Sequence, residues 1–331
     1  MATTTATATV RGRMAPAAET SVASNARSSS TVPLLAGLGA YGLWGVVPLY
    51  FKLVGQAGAD EIIAHRVMWS VVFLAVVLAI RYRGRLRPSI RISRRVALAL
   101  AVSGALVAAN WLIFVYAVNT DRVLQTSLGY FINPLVSVLL GTLVLRERMR
   151  AVQGIAVALA ALGTIYLAVQ VGRPPWLALG LAASFGLYGL VRKITDVGPM
   201  VGLFWETLMM TPVVALWFLF IADADALVFA RESRSLDLLM AGTGLVTVVP
   251  LVLFATAARG LPLITVGLMQ YIAPSISFCL AVFLFREPFT SDHAVAFALI
   301  WTALALYTAS AVRNVRLQRR LARRPTAPAE A

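Results

Sequence analysis

Between Leu34 and Val312 the chain is a succession of apolar runs separated by short polar or charged connections. A run of about 20 residues, rising 1.5 Å per residue as an α-helix, matches the roughly 30 Å hydrocarbon core of a bilayer. The pattern predicts ten helices, near 34–54, 61–81, 96–118, 123–145, 151–171, 175–192, 199–222, 236–258, 261–285 and 292–312. The fold class is therefore an all-α membrane protein with ten transmembrane helices. Residues 1–33, rich in Ala, Thr and Ser, hold no apolar run before Pro33 and read as a disordered cytoplasmic tail rather than a signal peptide. Residues 313–331 read as a basic cytoplasmic tail.

The runs repeat. Pro134, Ser137, Leu140, Arg146 and Glu147 recur 140 positions later as Pro274, Ser277, Leu280, Arg286 and Glu287, and Phe114, Ala117, Leu128 and Ile132 keep the same register. One five-helix unit, 34–172, has been copied as 173–312. Five is odd, so the second copy enters the membrane upside down. Inverted repeats of this kind are the architecture of secondary transporters, with the site near the midplane between the copies.

Composition agrees with a bilayer environment: 60% of residues are hydrophobic and only 13% charged, where soluble domains average about 25% charged. The net charge of +15 does not indicate nucleic acid, because 28 of the 29 Lys and Arg lie in connections or at segment ends and no basic stripe is interleaved with aromatics. Charge instead reports orientation. The tails and alternate connections carry 22 basic residues against 6 in the other set, which predicts both termini in the cytoplasm. A single cysteine, Cys279, and two distant histidines, His65 and His293, give no metal-ligand spacing, so no metal and no cofactor is expected. There is no Gly-rich phosphate loop and no nucleophile and base pair, so no enzyme is expected.

A few polar residues interrupt the apolar runs. Arg66 lies about five residues into the second helix, where a central Arg costs about 2.5–3.5 kcal/mol on insertion scales. It needs water, a substrate or an acid; Glu61 and Asp60, toward the outer end, are the snorkelling alternative. The position 140 residues on is Glu206, the acid well inside helix seven, on the order of 12 Å from Arg66 along the membrane normal. Both are candidates for a substrate or ion pathway, with His65 as a possible proton relay. Trp44 and Tyr188 sit between glycines in the matched sequences Gly39–Gly45 and Ala183–Gly189, where each ring either fills a packing gap or walls a cavity. Asn110, Trp111, Gln125, Tyr130, Asn133, Gln270 and Tyr271 gather around Pro134 and Pro274, two candidate helix kinks that would free backbone carbonyls toward a cavity.

Several of these segments resemble a known family. Trp44-Gly45 with Pro48-Leu49-Tyr50, Glu61-Ile62-Ile63-Ala64-His65-Arg66 with Trp69-Ser70, Asn110-Trp111, Leu128 to Leu135, Glu206-Thr207, and Gln270 to Pro274 with Arg286-Glu287 look like the RarD proteins. These are members of the drug/metabolite transporter superfamily built from two EamA-type repeats. The resemblance covers roughly 34–312 and implies a bacterial inner-membrane secondary transporter that exports small molecules. No ATP-binding motif is present, so coupling to a proton or other ion gradient is expected if transport is uphill, with Glu206 and His65 as the candidate titrating groups. A membrane sensor or scaffold that does not transport is the alternative reading.

Overall fold

The computed structural model describes residues 17–83, 85–120, 123–170, 174–284, 286 and 291–321. Residues 1–16, Arg122, Arg173, Glu287 and residues 322–331, with the side chains of Gln125 and His293, lie outside the described residues.

The described chain is helical: α1 (Ala17–Leu53), α2 (Ala59–Tyr82), a short α3 (Leu86–Ile90), α4 (Arg94–Asn119), α5 (Val123–Leu143) and α6 (Ala151–Gln170). The second half follows as α7 (Trp176–Ile194), α8 (Pro199–Phe220), α9 (Arg234–Gly260), α10 (Leu263–Met269), α11 (Ile272–Cys279) and α12 (Ser291–Leu321). Helix α1 begins inside the stretch that composition assigns to a tail; its alanines are strong helix formers, and the helix runs on into the first apolar segment without a break. Helix α12 likewise continues into the basic C-terminal segment.

Among the described residues eight helices are long and apolar enough to cross a membrane, and Leu128–Leu143 and Ala294–Ser310 are shorter apolar helices. Large apolar side chains cover the outside: Ile80, Leu112, Leu143, Val169, Leu219, Phe220 and Phe283 are all more than half exposed. Buried polar groups such as Ser70, Ser103, Thr243 and Thr247 lie between the helices instead. That inverted distribution is what a hydrocarbon solvent selects.

The duplicated sequence makes α7, α8, α9, α10–α11 and α12 the counterparts of α1, α2, α4, α5 and α6. Packing follows that correspondence. Helix α1 packs on α9 as α7 packs on α4; α1 meets α11 as α7 meets α5; α2 meets α9 as α8 meets α4. The remaining large contacts, α2 on α8, α5 on α10 and α6 on α12, join a helix to its own counterpart.

Small residues set these approaches. Gly104 of α4 lies against the Glu206 backbone of α8, and its counterpart Gly244 of α9 lies against Trp69 and Ser70 of α2, where an added Cβ would come within 2.6 Å of backbone. Val136 and Ile276, again 140 apart, each press on a glycine, Gly186 and Gly45. The connections after α5 and after the second copy's equivalent segment both place an arginine in the left-handed region, Arg146 at φ 54° and Arg286 at φ 56°. The two prolines behave differently. Helix α5 runs unbroken through Pro134, whereas the chain breaks at Gln270–Tyr271 between α10 and α11, ahead of Pro274, and leaves α11 through a π-helical turn, Leu280–Leu284.

Candidate functional site

Among the described residues, two charged centres lie within the apolar helices. The first surrounds Arg66 of α2. Its Nε donates to Thr247 Oγ1 of α9 at 2.9 Å, and its guanidinium carbon lies 4.4 Å from the Trp111 ring of α4 and 5.5 Å from the Phe51 ring of α1. Tyr130 of α5 is close enough to interact with the Arg66 charge, yet 47% of its surface is accessible. Arg66 itself is only partly buried. Among the described residues it forms no ion pair. The outward snorkelling alternative does not occur: Glu61 is buried and accepts hydrogen bonds from the backbone N–H of Val228 and Phe229, at 3.2 and 3.1 Å.

The second centre surrounds Glu206 of α8, which is wholly buried. Its Oε1 lies 3.4 Å from Nη1 of Arg192 in α7 and accepts a hydrogen bond from Ser103 of α4; its Oε2 accepts from the Tyr188 hydroxyl at 3.4 Å. Arg192 is also wholly buried and donates from Nη2 to the Pro199 carbonyl at 3.2 Å. Sequence counting treats Arg192 as a loop charge. The structure puts it in the last turns of α7, four residues past Tyr188 and on the same stripe, a spacing that could have revealed it. Gly202, four residues before Glu206, clears the space: a Cβ there would overlap the Arg192 guanidinium.

The other candidates divide between these centres and the core. Tyr188 is fully buried and stacks on Phe254 with ring centroids 5.7 Å apart, so it packs rather than walls a cavity. Trp44 belongs to the same aromatic group, against Tyr41, Phe185 and Phe254. His65 is buried against Phe229, and its Nδ1 accepts from the Trp69 indole at 3.2 Å. Asn110 donates to the Leu181 carbonyl at 2.9 Å and to Ser184 Oγ at 3.0 Å, joining α4 to α7. Gln270 donates to Ser137 Oγ at 2.9 Å and Tyr271 to the Phe131 carbonyl at 3.2 Å, both joining the α10–α11 break to α5. Asn133 Oδ1 and Gln270 Oε1 are buried without a hydrogen-bond partner among the described residues. Sequence reasoning missed Thr247, Ser103 and Arg192; Thr243 and Thr247, spaced four apart beside Gly244, were the available signal for the first.

One end of the molecule carries a third, cross-linking cluster. Glu147, just past α5, accepts from the backbone N–H of Leu263 and Ile264 at 2.7 and 2.9 Å, capping the start of α10. Lys193, at the end of α7, lies 3.6 Å from Glu147 and donates to the carbonyls of Ala258 and Leu261, at 3.3 and 2.5 Å.

Among the described residues, a helical bundle with an apolar exterior, charged groups held inside its spans and a duplicated helix order is the arrangement of a multi-pass membrane protein. The model of the EamA-like transporter family matches the chain twice, over residues 31–169 and 174–309, and the chain belongs to that family. It is 43% identical to the protein RarD of Escherichia coli (strain K12) over 86% of this chain and 96% of that one. An uncharacterized transporter of Vibrio cholerae is 44% identical over 87% and 95%. The chloramphenicol-sensitive protein RarD of Pseudomonas aeruginosa is 30% identical over 87% and 97%. A crystal structure 18% identical, covering 85% of this chain and 98% of its own at a TM-score of 0.67, shares the fold. The protein is a multi-pass membrane transporter of the RarD and EamA type.

Proposed function

We propose that the chain moves small molecules across the bacterial inner membrane as a secondary active transporter, by alternating access of one central site. Ten spans form two inverted repeats of five, 34–172 and 173–312, with both termini in the cytoplasm, and net movement is export. The observation that carries the reading is the exchange symmetry of the packing between the halves: each large contact across them either has its counterpart in the exchanged pair of helices or joins a helix to its own counterpart. Such a bundle has two arrangements of similar energy, one the mirror of the other in access, and a substrate bound between the copies can be exposed to either side.

Arg66, with Trp111, Tyr130 and Thr247, forms the substrate side of the pathway. Glu206 carries the coupling proton. When the carboxylate is charged it holds Arg192 and closes α7 on α8; when it is protonated that attraction is lost, while the Ser103 and Tyr188 contacts can persist. The test is counterflow of a labelled metabolite library in proteoliposomes. Accumulation against a gradient only when a proton or ion gradient is imposed is the expected result. A reconstituted chain that exchanges nothing, yet retains a partner protein in detergent, would sink the transporter reading in favour of a sensor or scaffold. Glu206→Gln should keep gradient-independent exchange and lose uphill accumulation, and normal accumulation by that variant would reject its coupling role.

A further inference from the structure

We infer that the transported class is small organic anions, a carboxylate carried on a flat apolar body, with Arg66 as the recognising residue. The inference rests on the transporter reading above. Its first ground is charge balance. Of the charges within the apolar helices, Arg192 and Glu206 neutralise one another at 3.4 Å, while Arg66 meets no acid among the described residues. A guanidinium surrounded by helices keeps its charge, and among the described residues it meets only ring faces and a hydroxyl, so its positive charge is open to a negative partner.

The second ground is geometry. Thr247 occupies only Nε, and among the described residues the two terminal nitrogens, the prongs that bind carboxylate bidentately, carry no hydrogen bond. Arg66 is partly accessible, so these prongs are reachable. The third ground is what borders them. Trp111 and Phe51 flank the guanidinium and Tyr130 offers 47% of its surface, which suits a planar apolar group attached to the anion. Phosphate esters of sugars would need more donors than this setting supplies.

The test uses the full chain in detergent with benzoate, phenylacetate and indole-3-acetate, each paired with its neutral amide, and with benzylamine. Melting temperature and tryptophan fluorescence report binding. Carboxylates should raise the melting temperature and the amides should bind about 10- to 100-fold more weakly. Arg66→Gln should melt higher than wild type when empty, because it removes an unpaired charge, and should lose the carboxylate response. Arg66→Lys should respond at reduced affinity. Equal response to amides, an unchanged response in Arg66→Gln, no response to any carboxylate, or a lowered melting temperature in Arg66→Gln would each overturn the inference. Counterflow separates the two claims. Carboxylates that bind but never move would sink the transporter reading alone, and movement confined to amides or amines would sink the anion reading alone.

Discussion

The Tyr271 hydroxyl donates to the Phe131 carbonyl at 3.2 Å, and the two residues stand 140 positions apart, the offset of the duplication. Equivalent residues of two copies can touch only close to the axis that relates them. The contact therefore marks where α5 and the α10–α11 break meet, between the halves. For inverted repeats, an experimental structure should superpose 34–172 on 173–312 after a rotation of about 180° around an axis in the membrane plane, passing near this pair and bringing Pro134 onto Pro274. An axis along the membrane normal would refute the inversion and remove the main ground for alternating access.

The Arg192–Glu206 pair predicts a non-additive pattern. Both side chains are wholly buried, so removing one strands the other. Glu206→Ala or Arg192→Ala alone should cost about 3–5 kcal/mol, while Glu206→Gln combined with Arg192→Met should recover most of that loss. Unfolding in detergent, followed by circular dichroism, checks it. Additive losses would mean that the pair is not coupled.

Large and small residues change places between the copies at one matched contact. Gly129 of α5 receives Leu181 of α7, while at the equivalent positions Gly37 of α1 receives Met269 of α10; a Cβ on Gly129 would meet Leu181 at 3.1 Å and one on Gly37 would meet Met269 at 2.6 Å. Gly129→Leu should therefore cost about 1–3 kcal/mol through overpacking, and Leu181→Gly in the same chain should restore membrane abundance. Fluorescence of a C-terminal fusion in isolated membranes measures this. No rescue by the second change would place the limit at the Ala178 backbone carbonyl, 3.2 Å from that Cβ, rather than at the exchanged side chain.

The succession of apolar helices and the two-fold family match were legible because both are written in one-dimensional spacing, a hydrophobic period and a fixed offset, although among the described residues eight of the ten expected spans are long and apolar enough to cross a membrane. The pairing of charges was not. Arg192 lies near the end of an apolar run, and counting by connection assigns it to water, although its position four residues from Tyr188 aims it inward. Arg66 and Glu206 share a register but not an environment, since Glu206 meets a cation while, among the described residues, Arg66 meets no anion. Which acid meets which base depends on helix rotation, and a run that is apolar on most faces hardly specifies rotation.

The 22 to 6 split of basic residues predicts that both termini lie in the cytoplasm. In a Cys279→Ala background, single cysteines at Ala226 and Ala322 should respond differently to an impermeant thiol reagent on intact cells, with Ala226 labelled and Ala322 protected. Labelling at Ala322 alone would reverse the assignment.

The Glu147 cluster ties four chain segments together at the end that this orientation places in the cytoplasm. Glu147 holds the first N–H groups of α10, and Lys193 holds the last carbonyls of α9, so the pair clasps both sides of the tight α9–α10 turn to the ends of α5 and α7. Opening a path to the cytoplasm between α5, α7 and α10 has to separate these groups. Glu147→Ala should therefore lower stability by about 0.5–2 kcal/mol through loss of the cap, and Lys193→Met should speed exchange from the cytoplasmic side by weakening the closed arrangement. A disulfide formed between Glu147→Cys and Lys193→Cys in the Cys279→Ala background should stop counterflow, and reduction should restore it. Full counterflow after complete cross-linking would mean that this end stays shut throughout the cycle and that the clasp is a fixed part of the scaffold.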